Sequence, residues 1–286
     1  VQYRHYGKSD VRLSMIGFGG ICVMNESATD ARRIVETARE RGINYFDVAP
    51  QYGNAEEMLG PALEPHRNDV FLACKTLMRE AESARADFTR SLERLRTDYL
   101  DLYQLHAIET EEDVQRVLAP GGTLELLNRL KSDGTVRYVG FSAHNEEMAL
   151  RLLDAYDFDS VLFPINWVTW YRGGIGRRLV ERATLRGTAV LALKSLAIRR
   201  WTEDEERTWS KTWYKPAETP EEVSRGVRFT LSRRVAAAVS PGHEELLWKA
   251  CDAADRFVPL AEDEEKELET AAIAIDPVFS RTVTAI

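Results

Sequence analysis

Four residues that could share one proton-transfer task fall at or just beyond the ends of short apolar runs. Asp47 follows Tyr45-Phe46 and precedes Val48-Ala49-Pro50-Gln51-Tyr52-Gly53. Lys75 follows Leu72-Ala73-Cys74, and His106 follows Tyr103-Gln104-Leu105. Taken singly, each has a plain explanation: a turn or cap residue, a solvated strand-end charge, a packed imidazole. Together they define a chemistry. A buried lysine resists carrying its charge, and an adjacent carboxylate offsets that cost. Asp47 can therefore hold Lys75 protonated, and an ammonium beside a phenol is expected to lower the Tyr52 pKa from about 10. Tyr52 then acts as a proton donor, and His106 orients a carbonyl oxygen beside it. The set has no nucleophile of its own, so a cofactor must supply one, and hydride is the natural candidate.

These side chains meet only if the fold brings the strand ends together. Runs rich in β-branched and aromatic residues recur at 13–19, 44–48, 70–75, 99–105, 136–141, 160–164, 190–193 and 235–239. Most are nearly continuous in apolar character, as parallel strands covered on both faces require. Segments of helical period lie between them, at 29–41, 82–96, 124–131, 145–155, 175–186, 219–232 and 244–256. Several begin after Ser, Thr, Asp or Asn, and several end at a glycine such as Gly42, Gly134 or Gly187, the residues that favour helix caps. A right-handed βα series of this length closes readily into a (β/α)8 TIM barrel. The pattern predicts an α/β fold with one domain over 1–286, a hairpin around Gly7-Lys8-Ser9-Asp10 at the barrel base and an extra C-terminal helix at 262–273. Chemistry in such barrels sits at the C-terminal ends of the strands, where the four residues would lie.

Composition excludes several other tasks. The 286 residues are 44% hydrophobic and 29% charged with a net charge of −8, which argues against a nucleic-acid backbone or a polybasic membrane anchor as partner. No apolar run approaches the roughly 20 residues that span a bilayer. The cysteines Cys22, Cys74 and Cys251 are far apart, so neither a disulfide framework nor a zinc knuckle is expected. A cytoplasmic protein, monomeric or a small homo-oligomer, is the expectation.

The segment Phe46-Asp47-Val48-Ala49-Pro50-Gln51-Tyr52-Gly53, the Lys75-Thr76 pair and Asp98-Tyr99-Leu100-Asp101-Leu102-Tyr103-Gln104-Leu105-His106 resemble the motifs of the aldo-keto reductase superfamily. The resemblance implies Tyr52 as general acid, Lys75 as its tuner, Asp47 as partner of Lys75, and His106 as the group that positions substrate. It implies reversible NAD(P)H-dependent reduction of an aldehyde or ketone, without a metal. NADP is the expected cofactor by family habit, with NAD as the alternative.

The second half departs from the family pattern. Ser142 is kept, but Ala143 stands where asparagine is usual, and Leu162 and Leu193 replace the family's glutamine and stacking aromatic. Cofactor contacts are expected from Gly19, Gly20, Ser142, His144, Lys194, Ser195, Leu196, Pro241 and Gly242. Glu244 and Glu245 follow Gly242 where the family usually carries basic residues, which weakens the case for a 2′-phosphate. Phe18 and Ile21, with Cys22, are expected on one wall of the substrate pocket, and Trp167, Trp170 and Trp213 on the other. Two alternatives follow. One is a cofactor-binding sensor with little or no turnover. The other is a metal-dependent barrel using His106, His144 and Asp47, disfavoured because strand 13–19 offers no ligand.

Overall fold

A computed structural model of the chain describes residues 1–281. The strands are β1 (Tyr3–His5), β2 (Arg12–Ser14), β3 (Ile16–Gly19), β4 (Tyr45–Asp47), β5 (Phe71–Thr76), β6 (Leu100–Leu105), β7 (Val136–Ser142), β8 (Ser160–Pro164), β9 (Ala189–Leu193), β10 (Ala197–Arg200), β11 (Tyr214–Pro216) and β12 (Ala237–Val239). The helices are α1 (Ala28–Glu40), α2 (Ala55–Leu63), α3 (Ala81–Leu95), α4 (Glu111–Leu118), α5 (Thr123–Ser132), α6 (Glu146–Ala155), α7 (Trp167–Tyr171), α8 (Arg177–Arg186), α9 (Pro220–Leu231), α10 (Glu244–Asp255) and α11 (Glu262–Ala272). Strands β3 to β9 and β12 pair in parallel, in chain order. Strand β12 bonds to both β9 and β3, which returns the sheet on itself.

Strand alternation sorts the side chains into two cores. Outward residues such as Phe46, Cys74, Tyr103, Phe141 and Phe163 pack against the helices. Inward residues Tyr45, Ala73, Leu102, Leu162 and Leu191 form a smaller cluster inside the ring. Because side chains repeat every second residue along a strand, two further steps from this cluster place Asp47, Lys75 and Gln104 on the same inward face. Inward glycines make room: a Cβ on Gly17 would lie 2.5 Å from the Tyr45 ring.

The run at 13–19 is two strands, not one. Leu13 pairs with Arg4 in an antiparallel hairpin, and the chain then turns so that Ile16 and Gly17 pair with Ala238 and Val239 of β12. Tyr6, at the hairpin turn, is buried with Phe71 and Tyr138 rings each 5.1 Å away. Helices α2, α4 and α7 were not legible in the periodicity. In α2, Gly60-Pro61 mimics a break, yet Gly60 lets the helix lie against the α3 backbone, where a Cβ would meet the Arg94 carbonyl at 2.2 Å. Helix α4 is eight residues long and buries only Val114 and Val117, too few apolar positions to show a period. The insertion after β9 folds as a hairpin of β10 and β11. No helix among the described residues is long and apolar enough to cross a membrane.

Candidate active site

The ends of β4, β5 and β6 bring Asp47, Lys75 and His106 to one side of the barrel mouth, with Tyr52 in the turn beyond β4. Lys75 is fully buried and its Nζ is paired with Asp47 Oδ1. The second carboxylate oxygen accepts from Tyr45 Oη and Gln104 Nε2, both at 3.1 Å. Asp47 thus has its lone pairs well occupied, the condition under which a buried ion pair is tolerable. Burial opposes the Lys75 charge, but the Asp47 carboxylate outweighs it and raises the ammonium pKa.

Tyr52 stands above this pair. The Lys75 Nζ lies 5.6 Å from the centre of the Tyr52 ring. The expected lowering of the phenol pKa is overturned: burial raises it, and the nearby Lys75 only partly opposes that. A sequence carries the identity of a charged neighbour but not the depth of burial, and here depth wins. The phenol therefore keeps its proton across the neutral range.

His106 meets Tyr52 edge-on, with ring centres 6.2 Å apart. Burial, followed by the positive charges of Lys75, His144, Arg79 and Lys194, holds its pKa down to about 3. The imidazole is neutral near pH 7. Its Nδ1 lies 3.1 Å from the side-chain oxygen of Gln51. Its backbone is held by Arg79, which donates to the carbonyls of His106 (2.9 Å) and Ala107 (2.8 Å) and pairs through Nε with Asp113 at 2.7 Å. Ala107 adopts a left-handed conformation, φ +52°, uncommon without glycine, and its N–H donates to Ser142 Oγ at 2.8 Å.

The residues expected to touch cofactor divide. Ser142 is buried beside the His106 loop and retains its hydroxyl hydrogen as a donor. His144 is fastened by Glu109 at 2.8 Å and stacks on Phe279. Lys194 follows β9 with φ +65°. Ser195 and Leu196 are buried, with Gly226 of α9 close against the Ser195 carbonyl. On the other side of the mouth, Gly19 N–H donates to Ser240 Oγ at 3.0 Å and Pro241 accepts from Cys22 Sγ. A Cβ on Gly20 would lie 2.8 Å from Val48, and one on Gly242 would lie 2.4 Å from Ile21 and 3.0 Å from Lys211. Lys211 itself pairs with Glu26 at 2.6 Å and donates its N–H to His243 Nε2 at 2.9 Å.

Some expected pocket residues lie elsewhere. Phe18 points outward, fully buried against Phe46, because it is Gly17 and Gly19 that face the barrel interior. Trp167 is buried in the helix-side core. Trp170 packs on Phe229 with Arg177 and Arg233 at its ring. Only Trp213 of the three tryptophans stays at the mouth, 46% exposed beside Lys194. Gln51, Gln104 and Arg79 were missed. Gln104 was within reach of the alternation argument, since it shares a face with His106 two residues on; Arg79 lies in an irregular turn and gave no signal.

The donor set at the mouth fits a nicotinamide dinucleotide in part. Ser142 Oγ and the buried, unpartnered Asn166 Nδ2 and Gln104 Oε1 are polar atoms near the strand ends. Helix α10 has no side-chain cap at its N-terminus, which leaves N–H groups available to an anion. Glu244 and Glu245 in its first turn oppose any further phosphate there.

The chain belongs to the aldo/keto reductase family, whose model matches residues 15–273. It is 34% identical over 154 residues to the uncharacterized oxidoreductase YqkF of Bacillus subtilis, covering 49% of this chain and 48% of that one. It is 32% identical over 169 residues to L-galactose dehydrogenase of Arabidopsis thaliana, covering 54% and 52%. The matched segment thus spans about half the length of these curated relatives. Its fold is that of the aldo-keto reductase AKR11C1 from Bacillus halodurans, with a TM-score of 0.73, 24% identity, and coverage of 97% of this chain and 98% of that one.

Proposed function

We propose that this chain, as one (β/α)8 barrel domain capped by its N-terminal hairpin, reduces an aldehyde or ketone to an alcohol with NAD(P)H, reversibly. The observation that carries the reading is the buried Lys75–Asp47 pair beneath a protonated Tyr52 and a neutral His106. The cofactor supplies the hydride. Tyr52 Oη donates its proton to the carbonyl oxygen as charge develops there. Lys75, kept charged by Asp47, stabilises the phenolate left behind. Neutral His106 offers its Nε2 side to the same oxygen. As placed, Gln51 Oε1 faces His106 Nδ1 at 3.1 Å and accepts from it; turning that amide over would present its NH2 to Nδ1 and leave the imidazole proton on Nε2, the form that can donate to the carbonyl oxygen. Ser142 and Asn166 would hold the nicotinamide amide. The acidic first turn of α10 favours NAD over NADP, against the habit of the family.

The test is a carbonyl screen that follows oxidation of reduced cofactor, with the Tyr52→Phe variant beside the wild type. Tyr52→Phe should lower kcat by about 10²- to 10⁴-fold, the range for loss of a general acid. Cofactor binding, titrated with NADH and NADPH by fluorescence, should survive in the variant. Full turnover by Tyr52→Phe would defeat the assignment. Tight cofactor binding with no carbonyl turned over by the wild type would favour the sensor instead.

A further inference from the structure

Asp47 is held from three directions. Lys75 of β5 pairs with Oδ1, while Oδ2 accepts from Tyr45 Oη, two residues nearer the barrel base on the same strand, and from Gln104 Nε2, each at 3.1 Å. The third contact is the long-range one. Asp47 stands on β4 and Gln104 on β6, and β5 runs between them. Gln104 is the register partner of Lys75, so its side chain crosses the width of β5 to reach the carboxylate. Small inward neighbours leave it room. Ala73 stands beside Asp47 on β5, and Gly140 stands beside Gln104 on β7. A Cβ on Gly140 would meet Ser160 Oγ at 2.5 Å and Leu102 at 3.1 Å.

The amide is kept at a cost. Gln104 is fully buried, and its Oε1 has no hydrogen-bond partner among the described residues. Turning the amide over would not relieve this, because it would set the carbonyl oxygen against the carboxylate. A leucine would fill the same space with no unmet acceptor. What the glutamine adds is a donor without charge. It stabilises the Asp47 carboxylate and leaves Lys75 as the cation of the pair. The titratable groups facing Lys75 are Asp47, Tyr52, Cys74, His106 and Lys194. Asp47 is the anion among them, so whatever fixes Asp47 decides where the proton of the pair rests.

A buried acid and a buried amine can share one proton in two ways. With the proton on the amine, Lys75 faces the Tyr52 ring as an ammonium beside a carboxylate. With the proton moved across, Lys75 faces it as a neutral amine beside a carboxylic acid. Only the first arrangement stabilises the phenolate left when Tyr52 gives up its own proton. We infer that Gln104 is a positioning residue of the proposed reaction, clamping the Asp47 carboxylate so that the proton of the pair stays on Lys75. Tyr45 supplies the second point of the same clamp. This rests on the reductase reading, and it adds a residue that acts on the Lys75 proton through Asp47.

The experiment uses the full chain as wild type, Gln104→Met and Tyr45→Phe, with Gln104→Leu as a second variant that lacks the donor. The Lys75 side-chain nitrogen, isotopically labelled and assigned through Lys75→Met, is titrated by NMR. Turnover is measured as kcat and KM for the carbonyl that the wild type reduces best. The wild type should hold its ammonium beyond the ordinary lysine midpoint of about 10.4. Gln104→Met should lower that midpoint by about one unit, and kcat by about tenfold with KM changed less than about twofold. Tyr45→Phe should shift both readouts in the same direction. An unmoved Lys75 midpoint in Gln104→Met would overturn the inference whatever happens to kcat, since lost packing alone slows turnover without touching this proton. So would a lowered midpoint with undiminished kcat, which would leave the clamp without a task. If the wild type reduces no carbonyl and Gln104→Met still lowers the midpoint, the reductase reading falls and the hold of Gln104 on the Lys75 proton stands. If the midpoint does not move there either, both fall.

Discussion

His106 shows how a single residue is set by what surrounds it. Its sequence position gave only a titratable ring at a strand end, for which the ordinary pKa of about 6.5 would place protonation near neutrality. Burial and four neighbouring positive charges hold it at about 3 instead. The folded state resists the proton that the unfolded chain accepts, so the unfolded state binds more protons between these two values. The stability drawn from this group is therefore full above about pH 6.5 and is lost as pH falls toward 3. Denaturant midpoints at about pH 7 and about pH 4 should fall further for the wild type than for His106→Gln. An equal fall in both would show that the imidazole is not held neutral. Tyr52 teaches the same point in reverse: the charged neighbour was readable, the depth of burial was not, and the phenol moves up rather than down. Asp47, Lys75 and His106 were legible because strand ends and alternation can be counted. Trp167 and Trp170 were misplaced because a cluster of aromatics looks alike whether it lines a pocket or packs a short helix.

At the scale of elements, the three strand ends of β4, β5 and β6 would not suffice without the turns that fix them. The β5–α3 turn delivers Arg79 to the β6–α4 turn, where its guanidinium bonds the His106 and Ala107 carbonyls and Asp113. Asp113 also forms the capping box of α4 with Thr110. One carboxylate thereby links the start of a helix to the conformation of the loop that carries the imidazole. Burial would raise the Asp113 pKa, but its bonds from Arg79, the Glu109 backbone and Thr110 hold it at about 2. None of this was legible: α4 is too short to show a period, and Arg79 stands in no motif. Arg79→Met should release the strained Ala107 turn and displace His106. A shift of about 1 Å in such a group can cost on the order of 10²-fold in kcat. Because Arg79 acts through His106, the double variant with His106→Gln should be little slower than His106→Gln alone. Independent, multiplicative losses would assign Arg79 a different role.

The whole molecule separates the end where the proposed chemistry would sit from the end that holds the barrel together. At the mouth, polar and strained residues gather: Lys75, His106, Ala107, Lys194. At the base, the N-terminal hairpin inserts Tyr6 among Phe71, Tyr138 and Leu13, and Arg4 ties the hairpin to the carbonyls of Leu231 and Val235 at 2.7 and 3.0 Å. The existence of the hairpin was legible from Gly7-Lys8-Ser9-Asp10, but not that the apparent strand at 13–19 is shared between hairpin and barrel, since both halves are equally apolar. Tyr6 is 1% exposed, so Tyr6→Ala leaves a cavity that the rigid strand ends around it cannot fill by collapse. The cost should be about 3–5 kcal/mol of unfolding free energy, as for other buried aromatics. Turnover per folded molecule, assayed well below the new melting temperature, should stay within about twofold, because barrel stability and barrel chemistry reside at opposite ends. A matching loss of kcat in fully folded Tyr6→Ala would mean that the inward cluster of Tyr45, Ala73 and Leu102 transmits packing at the base to Asp47 and Lys75 two residues further along the same strands.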